Sequence, residues 1–252
     1  MSGYIWFLKH LTMTSHLIKS IAAIFFAVCF MPSCTGGGKH DNELTAEEKK
    51  EGWVLLFDGT SMKGWHLYNN YKSSTWSVKN GELVCGPDKR LEHGDLVTDK
   101  EYTNYDLRFD WKINKEGNSG VFINVLERPD IPATYASGPE YQILEVSHVD
   151  YQDPVKRTGC IFDLTRQINP VNQLPPGQWN ESRIRQQNGH VEFYLNGVLT
   201  TEQDLSSSAW IDSIGKTHFS KYPEFGRHVS GHLALQDWFK AISFKNFKIR
   251  EL

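Results

Sequence analysis

The segment Gly138-Pro139-Glu140-Tyr141-Gln142-Ile143-Leu144-Glu145-Val146-Ser147-His148 brings two carboxylates, an amide and an imidazole close together in the chain. In a regular strand Glu140 and Gln142 share one face, while Glu145 points the other way. One β-bulge between Gln142 and Glu145 would return all three to the same face. Carboxylates on a concave sheet face can hold or cleave sugars, and their separation decides the route. We therefore take Glu140 and Glu145 as candidate catalytic acids or bases, with His148 as a proton relay. The plainer alternative leaves Glu145 and His148 solvated at a strand end.

Two further segments could contact a substrate. Gly117-Asn118-Ser119-Gly120 reads as a turn with exposed amide groups, which suits Asn118 and Ser119 to a sugar hydroxyl, or as a plain loop entering a strand. In His232-Leu233-Ala234-Leu235-Gln236-Asp237-Trp238, polar residues close an apolar strand. Trp238 there could stack on a pyranose ring beside Asp237, or simply pack. Asp163 could serve as an acid but equally ends an apolar run, and Asn180 with Arg183 reads as a structural polar pair. His66, His93, His190, His218 and His228 are scattered along the chain and are assigned to surface or satisfied positions.

Other chemistries lack their signatures. No phosphate-binding glycine loop, Gly-x-Ser-x-Gly elbow or dinucleotide fingerprint occurs, so neither ATP nor NAD is expected. The absence of CxxC and HExxH makes a structural zinc site improbable, and no metal ligands are assigned. No cofactor is expected, although a divalent cation held by acidic strand ends is a second way to polarise a substrate carbonyl.

These residues need a β framework to position them, and the chain supplies one. Asn104–Ile113 alternates Tyr105, Leu107, Phe109, Trp111 and Ile113 with Asp106, Arg108, Asp110 and Lys112, the period of a half-buried strand. Asn80-Gly81 and Asn196-Gly197 each separate two short apolar runs and predict tight hairpins. Further strands are predicted at Trp53–Phe57, Asp95–Thr98, Gly120–Val125, Glu140–Val146, Gly159–Asp163, Glu181–Arg185, His232–Gln236 and Ala241–Ile249. Only Ser206–Ile214 and Thr45–Glu51 look helical. About a dozen strands without intervening helices predict an all-β fold, a sandwich or barrel of antiparallel sheets.

The composition of the 252 residues agrees with a single β domain after an N-terminal address. Aromatic residues make up 13%, enough to bury ample surface and exclude disorder. A formal charge of −3 gives no net basic character, so nucleic acid is not an expected partner. Residues 1–33 hold Lys9, Lys19 and no acid, then the apolar run Ile21–Met31, too short to span a bilayer. Phe30-Met31-Pro32-Ser33-Cys34 resembles a bacterial lipobox, which implies lipidation at Cys34 and a lipoprotein of the cell envelope, with the membrane met only through that anchor. Residues 34–50 then read as a flexible tether and 51–252 as the domain. Of the remaining cysteines, Cys85 and Cys160 are buried thiols or one bridge; the sequence does not choose.

Taken in order, several blocks resemble a known family. They are Trp53-Val54-Leu55-Leu56-Phe57-Asp58-Gly59, Gly64-Trp65, Gly117-Asn118-Ser119-Gly120, Gly138–Glu145, Pro176-Gly177-Gln178-Trp179-Asn180, Gly231–Asp237 and the ending Ile242–Leu252. Together they resemble the 3-keto-disaccharide hydrolase family over about Glu51 to Leu252. The resemblance implies a concanavalin A-like β-sandwich jelly roll of two antiparallel sheets and activity on oxidised glycosides. Two departures stand out. Where the family usually continues Gln-Asp-His-Gly, this chain has Gln236-Asp237-Trp238-Phe239, and Glu145 stands where Asp is frequent.

The implied substrate is a carbohydrate carrying a ketone at C3, which acidifies the hydrogen on C2. A base then removes that proton, the C1 leaving group departs, and water adds; direct displacement by water is the alternative route. Gln142, Asn118, Ser119, Asp237 and Trp238 would bind and orient the sugar. Two rival functions remain open from the sequence: a non-catalytic carbohydrate-binding module, and a glycosidase of the β-glucanase type. The second is disfavoured because E-x-D-x-x-E in those enzymes is here E-x-Q-x-x-E, with Gln142 in place of the middle acid.

Overall fold

A computed structural model describes residues 40–70, 74–87, 94–238 and 240–252. Thirteen strands are present among them: β1 (Val54–Leu55), β2 (Trp65–Leu67), β3 (Trp76–Lys79), β4 (Glu82–Cys85), β5 (Leu96–Thr98), β6 (Tyr105–Ile113), β7 (Asn118–Val125), β8 (Glu140–Leu144), β9 (Asn180–Gln187), β10 (His190–Leu195), β11 (Val198–Asp204), β12 (His232–Leu235) and β13 (Ile242–Glu251). Two short α-helices, α1 (Ala46–Lys50) and α2 (Ser208–Gly215), and several 3₁₀ turns complete the regular structure. All pairings are antiparallel. One sheet runs β11-β10-β9-β6-β13-β4-β3 with β1 joined to β13; the other runs β2-β5-β12-β7-β8. The two sheets make the expected β-sandwich.

Alternation decides which side chains fill the space between the sheets. On β6, Tyr105, Leu107, Phe109, Trp111 and Ile113 are all buried. Phe109 meets Tyr141 of β8 edge-on at 5.8 Å, and Tyr141 meets Phe193 of β10 at 5.1 Å, so rings from both sheets interlock. Asp106, on the opposite face of β6, is buried too, because Arg183 on β9 grips both carboxylate oxygens at 2.6 and 2.8 Å. Asn80-Gly81 and Asn196-Gly197 each take positive φ at both residues, as a two-residue hairpin turn requires.

Several expectations need correction. Residues 41–50, anticipated as part of a free tether, are bound to the domain. Asn42 exchanges two hydrogen bonds with Asn246, N to Oδ1 at 2.7 Å and Oδ1 from N at 2.8 Å, and Glu48 pairs with Lys248. Residues 1–39, including the proposed signal and Cys34, lie outside the described residues. The segment Gly159–Asp163 is not a full strand; it lines the free edge of β8 through bonds such as Gln142 N to Cys160 O at 3.1 Å and Phe162 N to Glu140 O at 3.0 Å. Trp65–Leu67 is a strand that the sequence pattern missed, three residues being too few to show a period. Cys85 and Cys160 are both free, buried thiols.

Candidate active site

Because Tyr141, Ile143, Val121 and Leu235 point into the core, their neighbours along the strands face outward from the five-stranded sheet. Two outward rows matter. Val97, Ala234, Phe122 and Glu140 pair across β5, β12, β7 and β8. The next row holds Gln236, Gly120 and Gln142, with Gly120 directly opposite Gln142 and Gln236 N donating to Gly120 O at 2.9 Å. β8 runs in unbroken register against β7 from Glu140 to Leu144, so the expected bulge after Gln142 is absent. The segment from Asn118 to Gly120 likewise begins strand β7 and is not a turn.

On this outer face lies a cleft of about 340 Å³. Its floor is Asn118, Phe122, Glu140, Gln142 and Gln236, and its walls include Tyr135, Phe162, Tyr222 and Trp238. A smaller lobe of about 150 Å³ adjoins it, sharing Tyr135, Gln236 and Trp238 and adding Asp95, Thr134 and Asp237. Trp238 is 48% exposed and stands at the junction of the two. Polar floor and aromatic walls are the usual lining of a sugar site.

Glu140 is the carboxylate of the main lobe. It is only 6% exposed and has no cationic partner among the described residues. Its side chain folds across β7 above Gly120, where a Cβ would stand 2.6 Å from Glu140 Cγ and Cδ. The glycine is therefore what makes room for the acid. One end of the Gln142 amide lies 2.9 Å from Glu140 Oε1 and 3.2 Å from the Ser119 carbonyl, so nitrogen at that end donates to both. The other end meets the Asn118 amide at 3.2 Å. Burial, and after it the charge of Asp95, push the Glu140 carboxyl well above the usual carboxylate range.

Asp95 sits just before β5 and accepts from the Thr134 hydroxyl and from Asp237 N at 2.9 Å. Burial outweighs these bonds and, with the charge of Asp237 added, pushes it up to about 6. Asp237 in turn accepts from the Thr75 hydroxyl at 2.5 Å. Gln236 Oε1 is buried without a hydrogen-bond partner among the described residues, an acceptor suited to an incoming hydroxyl.

The remaining sequence candidates stand elsewhere. Glu145 follows the end of β8, where its carboxylate accepts Glu116 N at 2.8 Å, Ser147 N at 3.1 Å and the Ser147 hydroxyl. Burial pushes it up, but these bonds prevail and hold it below its usual value. It ties two turns together and does not line the cleft. His148 caps the 3₁₀ turn Val149–Gln152, its Nδ1 accepting Asp150 N at 3.2 Å, and is also outside the lining. Ser119 is buried and donates to Gln236 O at 2.8 Å, so it braces the floor from beneath. The structure thus gathers Glu140, Gln142, Asn118, Asp237 and Trp238, and leaves Glu145, His148 and Ser119 apart.

Sequence reasoning missed Asp95, Tyr135 and His218. Asp95 looked like any polar residue opening a strand, and His218 like one of several scattered histidines. Of the others, His66 lies between Asp99 at 2.8 Å and Glu127 at 2.6 Å, His190 pairs with Glu202, and His228 pairs with Glu224. His93 lies outside the described residues. Among the described residues, no group of three or more His, Cys, Asp or Glu side chains is placed to hold a metal ion.

Comparison with known proteins shows what the chain is similar to. Residues 52–250 match the family described as the 3-keto-alpha-glucoside-1,2-lyase-like domain. A 3-keto-disaccharide hydrolase of Bacteroides thetaiotaomicron is 26% identical over 230 residues, covering 80% of this chain and 79% of its own. A crystal structure of a Parabacteroides distasonis protein described as a glycosyl hydrolase superposes with a TM-score of 0.77 at 33% identity, covering 84% of this chain and 100% of the other. A second from the same organism, similarly described, gives 0.61 at 25% identity, covering 79% and 99%.

Proposed function

The chain belongs to the 3-keto-alpha-glucoside-1,2-lyase-like family, and on that premise we propose that it cleaves the glycosidic bond of 3-keto-glycosides, with Glu140 as base. The observation that carries the reading is the buried Glu140 carboxyl on the floor of the cleft, held over Gly120 with no cationic partner among the described residues. A hydrogen on carbon next to a ketone is a weak acid. Its removal favours a base whose proton affinity lies near the working pH, well above that of an ordinary carboxylate. Burial and Asp95 raise Glu140 in that direction.

The reaction follows from those positions. Glu140 takes the C2 proton, and the electron pair of that bond becomes the enolate of the C3 ketone. Return of the enolate electrons forms the C1–C2 double bond and expels the C1 substituent with its bonding pair. Water then adds at C1 and a proton returns to C2. The amides of Asn118, Gln142 and Gln236 line the floor where sugar hydroxyls and the developing oxyanion need partners. Trp238 and Tyr135, both exposed at the junction of the lobes, are the aromatic side chains available to a pyranose there. The name of the Bacteroides relative supports a disaccharide as substrate.

The test is an incubation of purified protein with paired native and 3-keto disaccharides, read by mass spectrometry. Monosaccharide products from the keto substrate alone are expected. Release of sugar from the native partner would favour an ordinary glycosidase, and saturable binding without products would favour a binding module.

A further inference from the structure

His218 opens the 3₁₀ turn His218–Lys221 behind the Thr217 cap, and it lines the same cleft as Glu140. Two contacts fix its ring. Nδ1 lies 3.1 Å from Asp163 Oδ2, and the ring rests on Phe219 with centroids 4.0 Å apart. Phe219 itself stacks on buried Phe225 at 4.0 Å, nearly parallel at 5°. The imidazole therefore has a carboxylate on one nitrogen and a packed aromatic column against its face. Nε2 has no partner among the described residues.

Asp163 is held as firmly. It has a positive φ of 59°, and its N–H donates to Val155 O at 2.9 Å. The preceding residue, Phe162, donates its N–H to Glu140 O at 3.0 Å. The residue that orients His218 thus follows directly on one bonded to the backbone of Glu140. A carboxylate on one ring nitrogen and a cleft beside the other is the arrangement by which a histidine is oriented for proton transfer. Such contacts commonly tighten once substrate is bound.

We propose that His218, oriented by Asp163, protonates the departing glycosidic oxygen; this rests on the reading of Glu140 given above. As the C1–O bond breaks, its electron pair goes to the leaving oxygen, which takes the proton of His218 Nε2 and leaves a neutral imidazole. When water adds at C1, the imidazole takes one of its protons while Glu140 returns its own to C2. Both groups end as they began, and the net change is hydrolysis. A sugar alkoxide is a strongly basic leaving group that needs such a donor, whereas a nitrophenolate does not. That difference distinguishes a proton donor from a residue that merely shapes the cleft.

The experiment compares 3-keto-trehalose with 4-nitrophenyl 3-keto-α-glucoside, using wild type, His218→Asn, Asp163→Asn and Glu140→Gln, each checked for folding by its melting curve. Measured as single-turnover release of the leaving group, the step before water adds, His218→Asn is expected to lose about 10²–10⁴-fold on the disaccharide and far less on the nitrophenyl substrate. Asp163→Asn should show the same selectivity to a smaller degree, and Glu140→Gln should lose both activities. Equal losses on the two substrates in His218→Asn, or no loss on either, would overturn the proposal and leave the base assignment standing. If wild type cleaves neither substrate, the parent reading fails and this one with it.

Discussion

Glu140 occupies the volume that a side chain at Gly120 would take, so the base and the glycine opposite its neighbour are complementary halves of one feature. A Cβ at residue 120 would stand 2.6 Å from Glu140 Cγ and Cδ and closer still to Oε1. Gly120→Ala must therefore push the carboxyl out of place. We expect a loss of about 10²-fold in kcat/KM, the usual effect of misplacing a reacting group by about an ångström, with the far-ultraviolet circular dichroism unchanged. Wild-type turnover in a folded Gly120→Ala would show that the placement of Glu140 is immaterial.

Burying Glu140 also has a consequence for stability. Its folded-state proton affinity is raised, so its contribution is fully present below the ordinary value of 4.5 and is lost as pH rises through the folded one. Glu140→Gln has no such loss. The variant should be inactive yet more stable than wild type at neutral pH, by roughly 0.5–2 kcal/mol as for other relieved active-site groups. The gap should close on acidification below about 4.5. Urea titrations at pH 4 and pH 7.5 measure it, and a variant less stable than wild type at pH 7.5 would contradict the burial argument.

Glu145 behaves in the opposite sense. The bonds from Ser147 and Glu116 overcome burial and lower its proton affinity. Its contribution to stability is present above the ordinary value of 4.5 and is lost as pH falls through the folded value. Glu145→Ala should lower stability by about 1–3 kcal/mol, since it leaves three donors without their acceptor. The kcat of the folded fraction should change little. A folded Glu145→Ala with kcat reduced as severely as Glu140→Gln would return Glu145 to the chemistry.

The N-terminal reading has its own test. If Cys34 is the lipidated residue of an envelope lipoprotein, metabolic labelling with radioactive palmitate should mark the full-length chain and not Cys34→Ala. Equal labelling of both would locate the acyl chain elsewhere, and labelling of neither would remove the anchor.

Much of the framework was legible because alternation and Asn-Gly turns are local signals. Asn80-Gly81 joins the strands Trp76–Lys79 and Glu82–Cys85 as the hairpin expected of it, and the strand Tyr105–Ile113 begins one residue later than expected. The floor residues Glu140 and Gln142 stand out as polar groups inside an apolar run, whereas Asn118 is picked out through a glycine-flanked segment that reads as a turn and is in fact the start of a strand. What escaped depends on contacts across the sheet. Gly120 matters only because Glu140, on the next strand along the chain, lies diagonally across from it. His218 looks like any surface histidine until Phe219, Phe225 and Asp163 surround it. Glu145 was grouped with Glu140 through a bulge that the regular β7–β8 register does not contain; Ser147, two residues on, was the sign of a capping role.

The central claim is that Glu140 removes the proton from C2. The most direct measurement is turnover of a 3-keto-disaccharide deuterated at C2, set against the unlabelled compound, in wild type and Glu140→Gln under single-turnover conditions. The account predicts a slower reaction for the deuterated substrate in wild type and no measurable cleavage of either by Glu140→Gln. Identical rates for both isotopologues, together with wild-type cleavage by Glu140→Gln, would contradict it.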